Sequence, residues 1–302
     1  MSRSAKPRIT VGMPVYNGAA YIEHAIAGLQ AQTCRDFKVV VSDNASTDGT
    51  REKLEAWAAR DRRVALHRQR TTIGPLDHFR YVLEQADTEY FMWHAHDDWL
   101  APNYLEALAG ILDSEPACAL ACASALRVLA DGSPKPRHAE RPFPDLAGKS
   151  RRGRIAALLR QPQATWIYGL FRTACPHTLE AIVDDFGHLW ASDRLMLLAL
   201  IVDDRIRGTD RTVIYSRKTG VTRHAYSPPS LVARLRFIAR YLAFNLRVYR
   251  AGALSPLDEL VLAPCLLRHF KQTCHSGFLR HYVKQPLGTA IVKPLVALVG
   301  RS

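Results

Sequence analysis

Three stretches decide the fold of this chain: ITVGMPVYNGAAYIEHAIAGLQAQT at residues 9–33, VVVSDNASTDGT at 39–50 and YFMWHAHDDWLAPNYLE at 90–106. Each opens on a short apolar run and then breaks into turn-forming or acidic residues. Ile9 to Met13 reads as a β-strand, ended by Pro14 and the turn pair Asn17-Gly18, and Ala20 to Gln32 reads as a helix. KVVVS at 38–42 is a continuous apolar run, the mark of a strand buried on both faces of a parallel sheet. It gives way at Asp43 to seven short or polar residues that can satisfy loop backbone and cap the next helix, Thr50 to Arg60. Val64 to Arg68 is a third strand, Gly74 to Ala86 a third helix and Tyr90 to His94 a fourth strand. The β-α-β-α-β-α-β order predicts a parallel, Rossmann-like sheet with its site at the carboxyl ends of the strands.

Outward from this core the pattern is less regular. Ala117 to Leu129 suits one strand or two short pieces, and Asp131 to Arg152, rich in Pro, Gly and charge, reads as a long loop. Ile155–Leu159, Thr165–Arg172 and Leu195–Val202 are helical or strand-like. From Leu231 the chain turns helical, with Pro256, Pro264, Pro286 and Pro294 dividing it into short segments. The expected organisation is a catalytic unit at 1–226, with a first half at 1–115 and a second at 116–226, and a C-terminal helical extension at 227–302.

The 302 residues carry 48% hydrophobic composition, enough for a sizeable core, and a formal charge of +13. The basic residues are dense from Arg137 onward, so an anionic partner is expected there. Six scattered cysteines give neither a disulfide framework nor zinc-site spacing, and free thiols in a reducing compartment follow. No apolar run follows the charges of MSRSAKPRIT, and no stretch reaches the roughly 18 apolar residues that span a bilayer. A cytoplasmic chain is expected.

Three strand ends carry polar groups that face one crevice in a parallel sheet: Pro14-Val15-Tyr16-Asn17-Gly18, then Asp43 with Asn44, Ser46 and Asp48, then His96-Asp97-Asp98. A carboxylate at Asp43 can accept hydrogen bonds from a base or ribose. The Asp97/Asp98 pair can hold a hard divalent cation, which binds through one or two carboxylates plus phosphate oxygens.

The three stretches together resemble the first half of a family 2 glycosyltransferase, strongly over 9–112 and more weakly to about residue 226. The resemblance implies a GT-A fold, mainly parallel and flanked by helices, and a nucleotide-sugar donor with Mg²⁺ or Mn²⁺. It places Pro14, Tyr16, Asn17 and Asn44 in the nucleotide pocket and Asp43 on the base. Asp97 and Asp98 stand for the D-x-D metal motif, with Ala95 where the family usually has another Asp and the choice of first ligand open. WASDR at 190–194 resembles the segment of the catalytic base, Asp193, with Asp184, Asp185, Asp203 and Asp204 as rivals. RKTGVTRH at 217–224 resembles a late basic segment, with Arg217 at the pyrophosphate and His224 on the metal. YGLFR at 168–172 resembles a run on the acceptor side, represented by Gly169 and Arg172. An inverting displacement onto a glycan or lipid-linked acceptor in bacterial surface-glycan assembly is implied.

Arg236, Arg240, Arg247 and Arg250 fall on one side of a helix, beside Phe237, Tyr241, Phe244 and Val248. That pattern suits either an anionic membrane surface, at the cytosolic face of the inner membrane, or packing on the catalytic unit. Two other classes compete. His94-x-His96-x-Asp98 opens a metallo-hydrolase pattern, but Trp99 stands where that pattern needs histidine. The charge also suits a nucleic-acid binder, yet the acidic groups concentrated at the expected site argue against a nucleic-acid partner.

Overall fold

The computed structural model describes residues 6–135, 140–175, 192–218, 230–252 and 254–275. Strands β1 (Ile9–Val15), β2 (Phe37–Asp43), β3 (Val64–Arg68) and β4 (Tyr90–Trp93) alternate with helices α1 (Ile22–Gln30), α2 (Thr50–Ala58) and α3 (Pro75–Glu84). β1 is buried along its whole length because helices cover both faces of the sheet. It pairs in parallel with β2 and β4, with Val15 beside Asp43 and Gly12 beside Trp93. That register brings the carboxyl ends of β1, β2 and β4 to one edge. The close approach of α3 to β1 needs Gly12, where a Cβ would lie 2.9 Å from the Phe91 ring and 3.0 Å from Val82.

The second half continues the sheet through β5 (Trp99–Leu100), β6 (Leu120–Val128), β7 (Glu140–Arg141), β8 (Leu170–Arg172) and β9 (Ile206–Arg217), with α4 (Tyr104–Ser114), α5 (Arg151–Arg160) and a 3-10 turn at Ala164–Tyr168. The strand order is β3-β2-β1-β4-β8-β6-β9-β5, with β7 on β6. The long pairings are parallel, β6 with β9 included, whereas β8 meets β4 and β6 antiparallel over two residues each. The sheet is therefore mainly parallel, as expected. The undecided segment at 117–129 contains one strand, whose Ala and Cys side chains are small enough to bury between facing layers. The stretch read as a long loop contains β7 and the first two residues of α5.

β9, the longest strand, was not legible in the sequence. Its run IRGTDRTVIYSR breaks alternation with charges and a glycine, and the pairing with β6 shifts register between Ala123 and Ser124.

Three further helices follow: α6 (Ser192–Val202), α7 (Leu231–Ala251) and α8 (Pro256–His275). The aromatic side of α7 is not free for a membrane. Phe237, Tyr241 and Phe244 join the buried cluster that contains Trp166 and Leu195 to Val202. Pro264 lies inside α8 rather than dividing it. α8 docks on α5, where Asp258 accepts from Arg152 Nε at 2.5 Å.

Candidate active site

The loops after β1 and β2 are stitched together by their own polar side chains. Asn17, at φ 47°, donates its backbone N–H to Ser46 Oγ at 2.9 Å and accepts from the Thr47 N–H through Oδ1 at 3.0 Å. Gly18 N–H donates to Thr50 Oγ1 at 2.8 Å, and Ala19 N–H to Asp48 Oδ2 at 3.1 Å. Asn and Gly suit this turn because both tolerate a tightly wound backbone. Tyr16 is left exposed beside it, while Pro14 is buried at the end of β1.

Asp43 closes β2 with a side chain only 2% exposed. Its Oδ1 accepts from Ser46 N–H at 3.1 Å, Oδ2 has no hydrogen-bond donor, and Arg68 Nε stands 3.8 Å away. A buried carboxylate oxygen without a donor is costly, so this atom is suited to a ligand N–H or O–H. Asn44 is differently occupied. Its amide donates to Ile73 O and accepts from Ile73 N–H, both at 2.9 Å, so both amide atoms hold the loop before α3.

The acidic edge begins where β4 ends. His94 is fully buried, its ring nitrogens have no hydrogen-bond partners, and burial depresses its pKa to about 3. His96 packs against the β1 loop so closely that a Cβ on Gly18 would lie 2.5 Å from its ring. Burial lowers its pKa, with Asp97 opposing. Among the described residues no three His, Cys, Asp or Glu side chains converge as a metal cluster.

Asp97 is half-buried and Asp98 buried. Burial raises the pKa of Asp98, the neighbouring Asp97 charge adds to this, and the Arg217 N–H opposes it. The contact with Arg217 follows from topology. β5 starts immediately after Asp98 and runs antiparallel to β9, with Trp99 opposite Tyr215, so Asp98 lies against the end of β9. Arg217 N–H donates to Asp98 Oδ1 at 2.7 Å.

The Arg217 guanidinium, expected at the pyrophosphate, is turned inward. Nε donates to the Asp97 carbonyl at 3.1 Å, Nη1 to the Ala130 carbonyl at 2.5 Å and Nη2 to His24 Nδ1 at 3.1 Å. It lies over the Tyr21 ring at 4.9 Å and the Trp99 ring at 5.0 Å. Arg217 thus braces the acidic turn from behind.

Asp193 sits half-buried in the first turn of α6, and burial raises its carboxyl pKa, with Arg194 opposing. Its relation to the acidic pair shows at Tyr168. Burial raises this phenol's pKa well above the usual value, and the charges of Asp98, Asp97 and Asp193 add to the rise. Two carboxylates from the β4–β5 turn and one from α6 therefore act on one phenol. Tyr168 was not singled out in the sequence, although its run was. Gly169 packs closely, since a Cβ there would strike the Ala121 carbonyl.

Arg172 is occupied within the fold. It pairs with Tyr90 at the amino end of β4, donating to the Cys118 and Leu112 carbonyls, at the opposite end of the strand from Asp97. His224, Asp184 and Asp185 lie outside the described residues, and of the other rivals Asp204 is spent on Arg154 and Arg207.

The pair Asp97/Asp98 fits a hard divalent cation. Both are oxygen donors, their mutual repulsion would be relieved by a dication, and Mg²⁺ or Mn²⁺ sites of this kind draw remaining ligands from phosphate oxygens and water.

The sequence profile described as Glycosyl transferase family 2 matches residues 10–168, more than half of the chain. The chain belongs to that family. It is 31% identical over 110 residues to abequosyltransferase RfbV of Salmonella typhimurium, covering 35% of this chain and 33% of that protein. It is 32% identical over 107 residues to an uncharacterized glycosyltransferase of Rickettsia felis, of which the match covers 17%. The matched region thus spans a third or less of these two relatives' length. TarS 1-349 of S. aureus, in complex with UDP-GlcNAc, superposes with a TM-score of 0.63 at 20% identity over 91% of this chain and 76% of that one. Mannosyltransferase PcManGT of Pyrobaculum calidifontis, in complex with GDP-Man and Mn²⁺, gives a TM-score of 0.52 at 18% identity over 98% and 80%. At these identities the likeness defines the fold, which is GT-A.

Proposed function

We propose that this chain transfers a sugar from a nucleoside-diphosphate donor to an acceptor hydroxyl, with inversion. The observation that carries this reading is the meeting of the carboxyl ends of β1, β2 and β4 at one edge of the sheet, where Asp43 and the Asp97/Asp98 turn stand. Asp43 offers its undonated Oδ2 to the nucleotide, beside Tyr16 and the Pro14–Asn17 turn. Asp97 and Asp98, with His224 as a further candidate, would hold Mg²⁺ or Mn²⁺. The cation would neutralise charge developing on the departing diphosphate.

In the transfer step the acceptor oxygen bonds to the anomeric carbon as the carbon–oxygen bond to the diphosphate breaks. The diphosphate leaves with that electron pair, and Asp193 takes the acceptor proton. The raised pKa of Asp193 makes it a stronger base than an ordinary carboxylate. A relative named abequosyltransferase, and neighbours in complex with UDP-GlcNAc and GDP-Man, support a nucleotide sugar as donor, and the acceptor we propose is a glycan or a lipid-linked one. We place the enzyme at the cytosolic face of the inner membrane, in surface-glycan assembly.

A thermal-shift screen of UDP- and GDP-sugars tests the donor. The correct donor at about 100 Kd should stabilise the fold by roughly 2.7 kcal/mol, and more with Mn²⁺ than without. Failure of every nucleotide sugar to shift the transition, with or without Mn²⁺, would count against the reading.

Arg217→Lys is expected to lower transfer by about 10–100-fold, the usual range for a residue that orients metal ligands. Lysine keeps the charge but loses the planar fork that reaches Asp97, Ala130 and His24 together. The Mn²⁺ concentration for half-maximal activity should rise in parallel. A variant that melts earlier but keeps wild-type Mn²⁺ dependence would make Arg217 a purely structural residue.

A further inference from the structure

The exposed large hydrophobic side chains of the described residues are not scattered. Apart from Tyr16, every one of them lies on α7 or α8. α7 has two apolar sides. Phe237, Tyr241 and Phe244 are buried against the catalytic core, whereas Val232, Leu235 and Leu246 are exposed. At 100° per residue these three project about half a turn away from Phe237. On α8 the inward residues are Leu262, Cys265 and Leu266, all buried. Leu257, Leu260, Val261 and Leu267 recur at i, i+3, i+4 and i+10 on the outward side and are 59, 73, 47 and 63% exposed. An amphipathic helix that only packed on the core would carry polar residues there.

The charge around these stripes is predominantly basic. Arg236, Arg240 and Arg247 run along α7 at i, i+4 and i+11, between its buried and exposed stripes, and all are exposed. Arg250 and Arg268 are exposed as well. From Ser230 to the last residue the sequence holds eleven Lys or Arg against two Asp or Glu, a net +9 of the chain's +13. Of those two acids, Asp258 is bound to Arg152 and Ser255.

We propose that the outward sides of α7 and α8 form a docking surface for an anionic lipid bilayer. The apolar stripes would enter the headgroup boundary while the arginines meet lipid phosphates. Charge decides among the possible occupants. A second copy of the chain would bring the same basic side chains against these. The segment after α8, residues 276–302, contains no Asp or Glu and four Lys or Arg, so it would add like charge as well. Neither α7 nor α8 is long and apolar enough to cross a bilayer, which fits helices lying in its plane. The surface is not the aromatic side of α7 that the sequence suggested, but the side opposite. The proposal rests on the transfer reading only in that a lipid-linked acceptor would give the surface its use.

Flotation of the full chain with phosphatidylcholine vesicles, with and without 30% phosphatidylglycerol, tests it. Binding should be at least ten-fold stronger with phosphatidylglycerol and should weaken as salt rises. L235E and L260E place a charge on each outward side without touching the core, and together should reduce binding at least ten-fold. R236Q with R240Q should act similarly. The donor-induced thermal shift of L235E/L260E should match wild type, which separates loss of docking from loss of the site. Equal partition onto both vesicle types, or none onto either, would overturn the proposal. So would a concentration-dependent dimer in sedimentation velocity that L260E abolishes.

Discussion

Asp97→Asn is expected to lower transfer by at least about 100-fold, or roughly 2.7 kcal/mol in the activation barrier. Asparagine keeps the size of the side chain and removes its charge. Asp97 is half-buried at the crevice rather than built into the core, so the fold should survive. A dication would lose half of the carboxylate charge offered by the pair, and the departing diphosphate would lose much of its compensation. The effect should appear in turnover at saturating donor, together with a raised Mn²⁺ requirement. Asp98→Asn makes an informative contrast. Asp98 Oδ1 accepts from the Arg217 N–H inside the protein, so that variant should also lose stability. Near-normal turnover in Asp97→Asn, with turnover lost in Asp98→Asn, would transfer the metal assignment to Asp98.

Asp193→Asn should abolish transfer to a comparable degree, about 10²- to 10⁴-fold, while leaving donor affinity nearly unchanged. A base touches the acceptor proton in the transition state and contributes little to holding the nucleotide. The pH profile gives a second readout. The base works deprotonated, and burial raises the Asp193 pKa in the folded protein. Activity should therefore fall as pH drops through a value above the ordinary carboxylate range. A collapse of donor affinity in the variant would make Asp193 a binding residue. An acid limb at the ordinary carboxylate position would remove the support that burial lends to its role as a base.

The sequence by itself determined the first half of the fold and which strand ends carry its polar groups. Apolar runs such as KVVVS report burial on both faces of a sheet, and the breaks after Met13, Ser42 and His94 fall within two residues of the strand ends at Val15, Asp43 and Trp93, because both signals are local. Membership of the family was legible for the same reason, since the three stretches are contiguous and stand in order.

Tertiary structure decided the rest. β9 could not be read because its strand character comes from pairing with β6 across a register shift, not from alternation within its own residues. The inward turn of Arg217 depends on β5 running antiparallel to β9, which sets residue 98 against residue 217. Arg172 and Tyr168 are four residues apart, yet β8 carries the first to the amino end of β4 while the second shares the field of three carboxylates. On α7 the periodicity revealed an aromatic side but not its destination. Helical spacing tells which residues share a face, and only the packing of α6 against α7 determined that the aromatic face is buried and the leucines remain outside.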